Sequence, residues 1–253
     1  MAKLTHLSLF SGIGGLDIAA EWAGFRTVGQ CEWADYPRAV LEKHWPGLPR
    51  WRDIRTLTKE SFYEQTGLRT VTVLSGGFPC QPFSTAGKRR GKEDDRYLWP
   101  EMLRVIREIR PRWVVGENVA GLVRIALDEI LSGLAEAGYE ARAYSSEARN
   151  VGGLFRGERI AIVAATNDGC PSVWRDGEFQ ADAEIAGCWD YNRRGAEKPD
   201  LWKRWEFEPR PYGVAHGVPA RVDRLKCLGN AVVPQQFYPI FRGIAELEEM
   251  IYG

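Results

Sequence analysis

Through the first 165 residues, short apolar runs alternate with stretches whose apolar residues recur every third or fourth position. The runs at 4–10, 27–31, 71–74, 113–115, 141–145 and 160–164 have the length and character of strands. Between them, 16–23, 36–44, 98–109 and 127–137 place apolar residues at i, i+3 and i+4, the period of one helix face. Strand and helix in alternation predict an α/β fold, a mainly parallel sheet with helices on both faces. Ligands on such a sheet bind beyond the carboxyl ends of the strands. The alternation stops after Ala165. Residues 166–214 are rich in Gly, Pro, Asp and Trp without a sustained period and predict a small irregular insert. Helix-compatible sequence resumes over 235–251, so the segment 215–253 is expected to pack back onto the domain formed by 1–165.

Composition narrows the class of protein. A chain of 253 residues with 44% hydrophobic content can bury one large core. No stretch approaches a membrane span, and the N-terminus lacks a long apolar signal region, which predicts a cytoplasmic protein. Five cysteines, Cys31, Cys80, Cys170, Cys188 and Cys227, are odd in number and widely spaced, with no CxxC and no nearby His pair. They read as reduced thiols, with no metal site. Formal net charge is zero, yet charge is unevenly placed: 166–190 holds six acids and one Arg, whereas 191–216 holds six basic residues and four acids. Arg221, Arg224 and Lys226 follow, and Lys88, Arg89, Arg90 and Lys92 form a second basic run. These are the candidate nucleic-acid contacts; a solvated face is the alternative for each.

Candidate chemistry sits where strands end. Gly76-Gly77-Phe78-Pro79-Cys80-Gln81-Pro82-Phe83-Ser84 follows the third apolar run, so prolines stiffen and glycines open the loop that carries Cys80. A buried structural cysteine is the competing reading. A cysteine nucleophile needs a base or an electropositive neighbour, and His6, His44 and His216 do not stand at strand ends beside it. Glu117-Asn118-Val119 follows the next run and puts a carboxyl at the adjacent strand mouth, suited to acid or hydrogen-bond work. The first strand ends in Phe10-Ser11-Gly12-Ile13-Gly14-Gly15, a turn that lets backbone N–H groups approach a ligand but departs from GxGxxG spacing. Glu32 ends the second strand and is placed for ribose hydroxyls, with Trp33 beside it to stack on adenine and Asp53-Ile54 to grip its edge and ring. Helix capping by Asp35 and Asp53 with a core Trp33 is the structural alternative. A ribose and adenine ligand without a dinucleotide fingerprint points to S-adenosylmethionine.

With these residues in view the chain resembles the cytosine-C5 DNA methyltransferases of bacteria and phages. The resemblance rests on ordered motifs: the Phe10 to Gly15 turn, Glu32, Asp53, Pro79-Cys80-Gln81, Asp95-Arg96 with Leu98, Glu117-Asn118-Val119, Arg159, and the stretch 221–232 ending Gly229-Asn230-Ala231-Val232. It implies a Rossmann-like methyltransferase fold, a catalytic domain at 1–165 and a target-recognition region at 166–214. Cys80, Glu117 and Arg159 are then the catalytic residues, adding to cytosine C6, holding N3 and the exocyclic amine, and contacting O2. Cofactor contacts carried over by position are Phe10, Ile13, Gly14, Glu32, Trp33 and Asp53, continued by Ile54, Pro79, Leu98, Asn230 and Val232. Expected DNA contacts are Gln81, Ser84, Lys88, Arg89, Arg90 and Arg96, together with Asn118, Arg193, Arg194 and Arg221.

The resemblance further implies S-adenosyl-L-methionine as cofactor, S-adenosyl-L-homocysteine as product, no metal, a flipped-out base, duplex DNA as partner, a monomer, and a cognate restriction endonuclease in the cell. It departs at Phe155-Arg156-Gly157-Glu158-Arg159, where the family usually has Gln-x-Arg-x-Arg; Arg156 is the candidate substitute for the missing Arg. The insert is short for target recognition, which predicts a short or loosely read site. The same chemistry on a structured RNA, and a catalytically silent DNA-binding paralogue, are the alternative readings.

Overall fold

The computed structural model describes residues 4–79, 97–153, 155–166 and 221–252, with backbone alone at Arg124, Arg221, Arg224 and Leu225. Its strands are β1 (Thr5–Leu9), β2 (Arg26–Cys31), β3 (Arg50–Trp51), β4 (Val73–Gly76), β5 (Trp113–Val119), β6 (Tyr139–Ser146) and β7 (Arg159–Thr166). They form one sheet of order β3-β2-β1-β4-β5-β7-β6. The first five pair in parallel, and β7 runs antiparallel to both β5 and β6. Strand order reverses between β1 and β4, which opens a crevice at their carboxyl ends.

The helices are α1 (Gly15–Trp22), α2 (Asp35–His44), α3 (Lys59–Thr66), α4 (Trp99–Ile109), α5 (Leu127–Glu136), α6 (Arg221–Asn230) and α7 (Pro234–Tyr252). Two apolar layers sandwich the sheet. On one face Leu7, Leu9, Leu74 and Val114 pack with Met102, Val105, Ile106 and Ile109 of α4 and Ile130 and Leu134 of α5. On the other, Val73, Val115 and Val163 meet Leu16, Ala19 and Ala20 of α1 and Phe237, Phe241 and Ile244 of α7. Alternate residues of one strand feed opposite layers, as a pleated strand buried on both faces requires.

The structure departs from the expected elements in identifiable ways. β5 runs four residues past its apolar stretch, because β7 pairs with it along its whole length, from Trp113↔Ala165 to Val119↔Arg159. Glu117 and Asn118 therefore lie within a strand. β3 is a two-residue strand bonded to β2, too short for periodicity to reveal. α3 buries one residue, Phe62, and is marked instead by the reciprocal cap between Thr58 and Ser61. α6 places Val222 and Leu228 on exposed positions. No helix among the described residues is long and apolar enough to cross a membrane.

The C-terminal helix is fastened by charge as well as by its stripe. Glu248 is 4% exposed; it accepts from Trp113 Nε1 and Arg112 Nε, each at 2.9 Å, and pairs with Arg112 Nη2. Arg112 also stacks over Tyr252, 4.9 Å from the ring centroid. Arg112 is 37% exposed and can turn to water, but removing the carboxylate leaves the buried Trp113 N–H without its acceptor. Glu248→Ala is expected to lower unfolding free energy by about 2 kcal/mol in urea titration, with a smaller loss for Glu248→Gln.

Candidate active site

The turn after β1 is shaped by its backbone. Phe10 adopts φ +52°, a left-handed conformation that costs an aromatic residue energy, and Gly12 follows at φ +55° with open space where a Cβ would stand. Gly12 N–H donates to Glu32 Oε2 and Ala34 N–H to Glu32 Oε1, both at 2.8 Å. Glu32 is thus pinned between the ends of β1 and β2. A carboxylate has about four acceptor sites, so each oxygen keeps a lone pair for a ligand hydroxyl. Beneath the turn lies a buried polar knot that periodicity does not signal. Ser8 and Gln30 donate to the buried Asp17 at 2.9 and 2.8 Å, and burial pushes Asp17 up to about 6.

One cavity of about 1510 Å³ runs along the carboxyl edge of the sheet. At one end it meets Phe10, Ile13, Glu32, Trp33, Asp53 and Ile54, at the other Glu117, Asn118 and Arg159, with Pro79 and Leu98 and, from the far end of the chain, Asn230 and Val232 also on its wall. Gly14 does not border it; Gly14 caps α1 at φ +91°, and a Cβ there would strike Trp45. Trp33 is 63% exposed and so is not a core residue. Arg52 lies over its ring at 5.7 Å and pairs with Asp35 at 2.9 Å. Asp53 does cap: its Oδ1 accepts from Arg55 N–H at 3.0 Å. Asp35 opens α2 without capping it; the N-cap residue is Ala34. An exposed indole and two backbone-anchored carboxylates with spare lone pairs fit a ligand carrying an aromatic ring and vicinal hydroxyls, such as S-adenosylmethionine.

The opposite end holds the carboxyl. Glu117 is 8% exposed, and burial pushes its pKa up to about 7 against the opposing pull of Arg159. Glu117 and Val119 share a face of β5, and Arg159 pairs opposite Val119, so the arginine reaches diagonally across the ladder. Its Nε lies 2.9 Å from Glu117 Oε1, but the N–H is not aimed for a hydrogen bond and stays unpaired among the described residues. Gly77 makes room for the carboxyl: a Cβ there would lie 2.5 Å from Glu117 Oε2. Asn118, expected among the DNA contacts, is buried at 5%. It donates to Phe78 O at 3.0 Å and accepts from Val119 N–H at 3.0 Å, tying β5 to the chain two residues before Cys80.

Cys80, Gln81, Ser84, Lys88, Arg89, Arg90, Arg96, Arg193 and Arg194 lie outside the described residues, as does the side chain of Arg221. Arg156 does not take the place expected of it. Gly157 turns the chain at φ +46°, and Arg156 points to the surface, bonded to Glu147 at 2.8 Å and Glu158 at 3.4 Å. Residues that the sequence did not single out also border the cavity, Arg52, Leu122 and Ile125, and so do Lys226, expected at a nucleic-acid contact, and Cys227 of α6. Leu122 and Ile125 follow β5 closely in the chain, whereas Arg52 follows the two-residue β3, which leaves no signal in the sequence. Among the described residues no cluster of three or more His, Cys, Asp or Glu could hold a metal ion.

The burial of Glu117 has a stability signature. Its folded pKa of about 7 lies above the ordinary value of 4.5, so the folded chain binds the proton more tightly. The associated stability is present below pH ~4.5 and is lost as pH rises through ~7, a loss of up to about 3 kcal/mol. In urea titrations at pH 5 and pH 8, Glu117→Gln should lack that part of the wild-type decline.

Comparison with known proteins agrees with this geometry. The sequence matches the family described as C-5 cytosine-specific DNA methylase over residues 4–194. Type II methyltransferase M.BsuFI of Bacillus subtilis is 34% identical over 170 residues, 64% of this chain and 39% of that protein. Type II methyltransferase M.Eco47II of Escherichia coli is 35% identical over 175 residues, 65% of this chain and 40% of that protein. The match thus spans about two fifths of the length of these curated relatives. In three dimensions the chain is similar to a putative DNA modification methyltransferase encoded within an E. coli prophage, with TM-score 0.57, 22% identity, and coverage of 65% of this chain and 47% of that one. It is also similar to the S. pombe Dnmt2 methyltransferase, with TM-score 0.52, 23% identity, and coverage of 65% and 50%. These structural likenesses establish a methyltransferase fold. The family match covers most of the sequence, and the chain belongs to the C-5 cytosine-specific DNA methylases.

Proposed function

We propose that the protein methylates C5 of cytosine in duplex DNA, using S-adenosylmethionine, through a bond between Cys80 and C6 of a base turned out of the helix. The observation that carries this reading is the two-ended cavity, with a carboxyl that burial holds near neutrality at one end and ring and hydroxyl partners at the other. Bound S-adenosylmethionine supplies an electrophilic methyl group. Glu32 and Asp53 receive its ribose and adenine polar groups, and Trp33 and Ile54 flank the ring. Phe10, Ile13, Pro79, Leu98, Asn230 and Val232 close the remaining wall.

Cytosine C5 is a weak nucleophile until C6 is attacked. The Cys80 thiolate forms the sulfur–C6 bond, and the ring electrons move to C5. Glu117, protonated in part at neutral pH, donates to N3 and accepts from the exocyclic amine, which offsets the charge that develops in the ring. Arg159, with an Nε–H not committed to Glu117, turns to O2. C5 would then bond to the methyl carbon of the bound cofactor as its sulfur–methyl bond breaks, S-adenosylhomocysteine being the leaving group, and loss of the C5 proton to solvent expels Cys80 as thiolate and leaves 5-methylcytosine. C6 is inaccessible within a stacked duplex, so the base leaves the helix at a cost of a few kcal/mol.

Residues 1–165 form the catalytic part in this reading, 166–214 the recognition region, and 215–253 the segment that completes the cofactor wall. Gln81, Ser84, Lys88, Arg89, Arg90, Arg96, Arg193, Arg194 and Arg221 contact the DNA. The enzyme acts as a monomer in the cytoplasm, paired in the cell with a restriction endonuclease.

Duplex DNA bearing 5-fluorocytosine cannot release its C5 substituent as a proton, so an active enzyme is captured. With cofactor present, the wild type should form a denaturation-resistant complex and Cys80→Ala none, while calorimetry shows cofactor still binding to the variant. A persistent adduct in Cys80→Ala would reject the assigned nucleophile. Glu117→Gln should lower kcat roughly 10²-fold with cofactor affinity unchanged, on the scale of removing one charge-stabilising donor.

A further inference from the structure

Arg159 is held by very little of its own. Its Nη1 donates to Glu158 O at 3.2 Å, its Nε–H is unaligned toward Glu117, and it heads β7 immediately after an irregular connection, 147–158. Where its guanidinium lies therefore follows from where the backbone of 157–159 is held. Residue 159 is paired in the ladder with Val119 and Ser146, and the chain just before it, at Gly157, is held by a residue remote in sequence. Gln236, in the first turn of α7 and 2% exposed, donates one amide hydrogen to Ser146 O at 2.9 Å and the other to Gly157 O at 3.0 Å.

The two acceptors stand at the two ends of that connection. Ser146 ends β6 and pairs directly with Arg159, while Gly157 precedes Arg159 by two residues. Gly157, at φ +46°, does not fix its own carbonyl, because glycine is conformationally permissive, so the direction of that carbonyl depends on the bond it accepts from Gln236. Gln236 is in turn fixed by its own N–H, which donates to Val233 O at 2.9 Å, next to Val232 on the cavity wall.

We propose that Gln236 is a positioning residue that sets Arg159 against Glu117 and links the cavity wall at 230–232 mechanically to that pair. The geometric claim stands on the unliganded protein; its consequence for turnover rests on the function proposed above. The bidentate amide closes a loop between three segments, 146, 157 and 236, that no other described side chain bridges in this way. Among the described residues Arg159 is the charged group that bears on Glu117, so the titration of Glu117 reports the position of Arg159.

The test is carboxyl titration of ¹³C-glutamate-labelled, ligand-free protein by NMR, in wild type, Gln236→Met, Arg159→Ala and the double variant. Gln236→Met keeps the volume and removes both donors. The Glu117 midpoint is expected to rise by about one unit in Gln236→Met and in Arg159→Ala, with no further rise in the double variant. A merely structural glutamine would lower the melting temperature and leave the Glu117 midpoint of the folded protein unmoved, or would shift it equally with and without Arg159. Either result overturns the proposal. Should Gln236→Met not fold, Gln236→Asn, one methylene short of its two acceptors, is read by the same criterion. Where methyl transfer is measurable, kcat should fall about 10-fold in Gln236→Met with cofactor KM within about twofold of wild type. A wild type that transfers no methyl group would refute the proposed function and leave the titration result interpretable.

Discussion

β7 returns antiparallel along the full length of β5, and on that pairing the candidate site depends. A parallel neighbour would need a covering crossover and would leave the far end of β5 as a loop mouth. The antiparallel partner carries β5 on to Val119, buries Glu117 within the sheet, and delivers Arg159 diagonally to its carboxyl. Burial alone would drive Glu117 toward the neutral form; the arginine limits that drive, and the balance lies near pH 7. The glycine at 77 is the third element, because any side chain there would occupy the carboxyl's place.

The other half of the cavity obeys a different rule. After β1 the chain leaves the sheet in a turn of left-handed backbone conformation, and Glu32 ties that turn to the start of α2 through the N–H groups of Gly12 and Ala34. A carboxylate held in this way is oriented before any ligand arrives, which reduces the ordering cost of binding. The wall is completed by residues some two hundred positions away. α7 packs its apolar stripe on α1 and fixes Glu248 to Arg112 and Trp113, so the segment at 230–232 is held where Gly15 can approach it; a Cβ on Gly15 would lie 2.6 Å from Val232 O.

Much of this was legible in the chain because the sheet is buried on both faces. Apolar runs mark most of its strands, and strong amphipathic period marks α4 and α5, so the strand ends and the residues standing at them could be located. Residues outside that logic were not legible. β3 exists because Gln30 and Cys31 find partners in Arg50 and Trp51, a tertiary event two residues long. The direction of β7 depends on how 147–158 turns back, and apolar content does not encode it. Gly14 was the glycine expected at the cofactor, yet Gly12 borders the cavity while a Cβ on Gly14 would meet Trp45. Asp53 illustrates a mixed outcome: the cap and the cavity position coexist in one residue, and sequence alone presents them as alternatives.

The central claim is that this edge of the sheet directs a methyl group to carbon 5 of cytosine. Its most direct test is to incubate the protein with methyl-labelled S-adenosylmethionine and, in parallel, duplex DNA and transfer RNA, digest each to nucleosides, and identify the labelled species. Label confined to 5-methyldeoxycytidine from the duplex is the predicted result. Label on an exocyclic nitrogen or on adenine, or label in RNA with none in DNA, would contradict it.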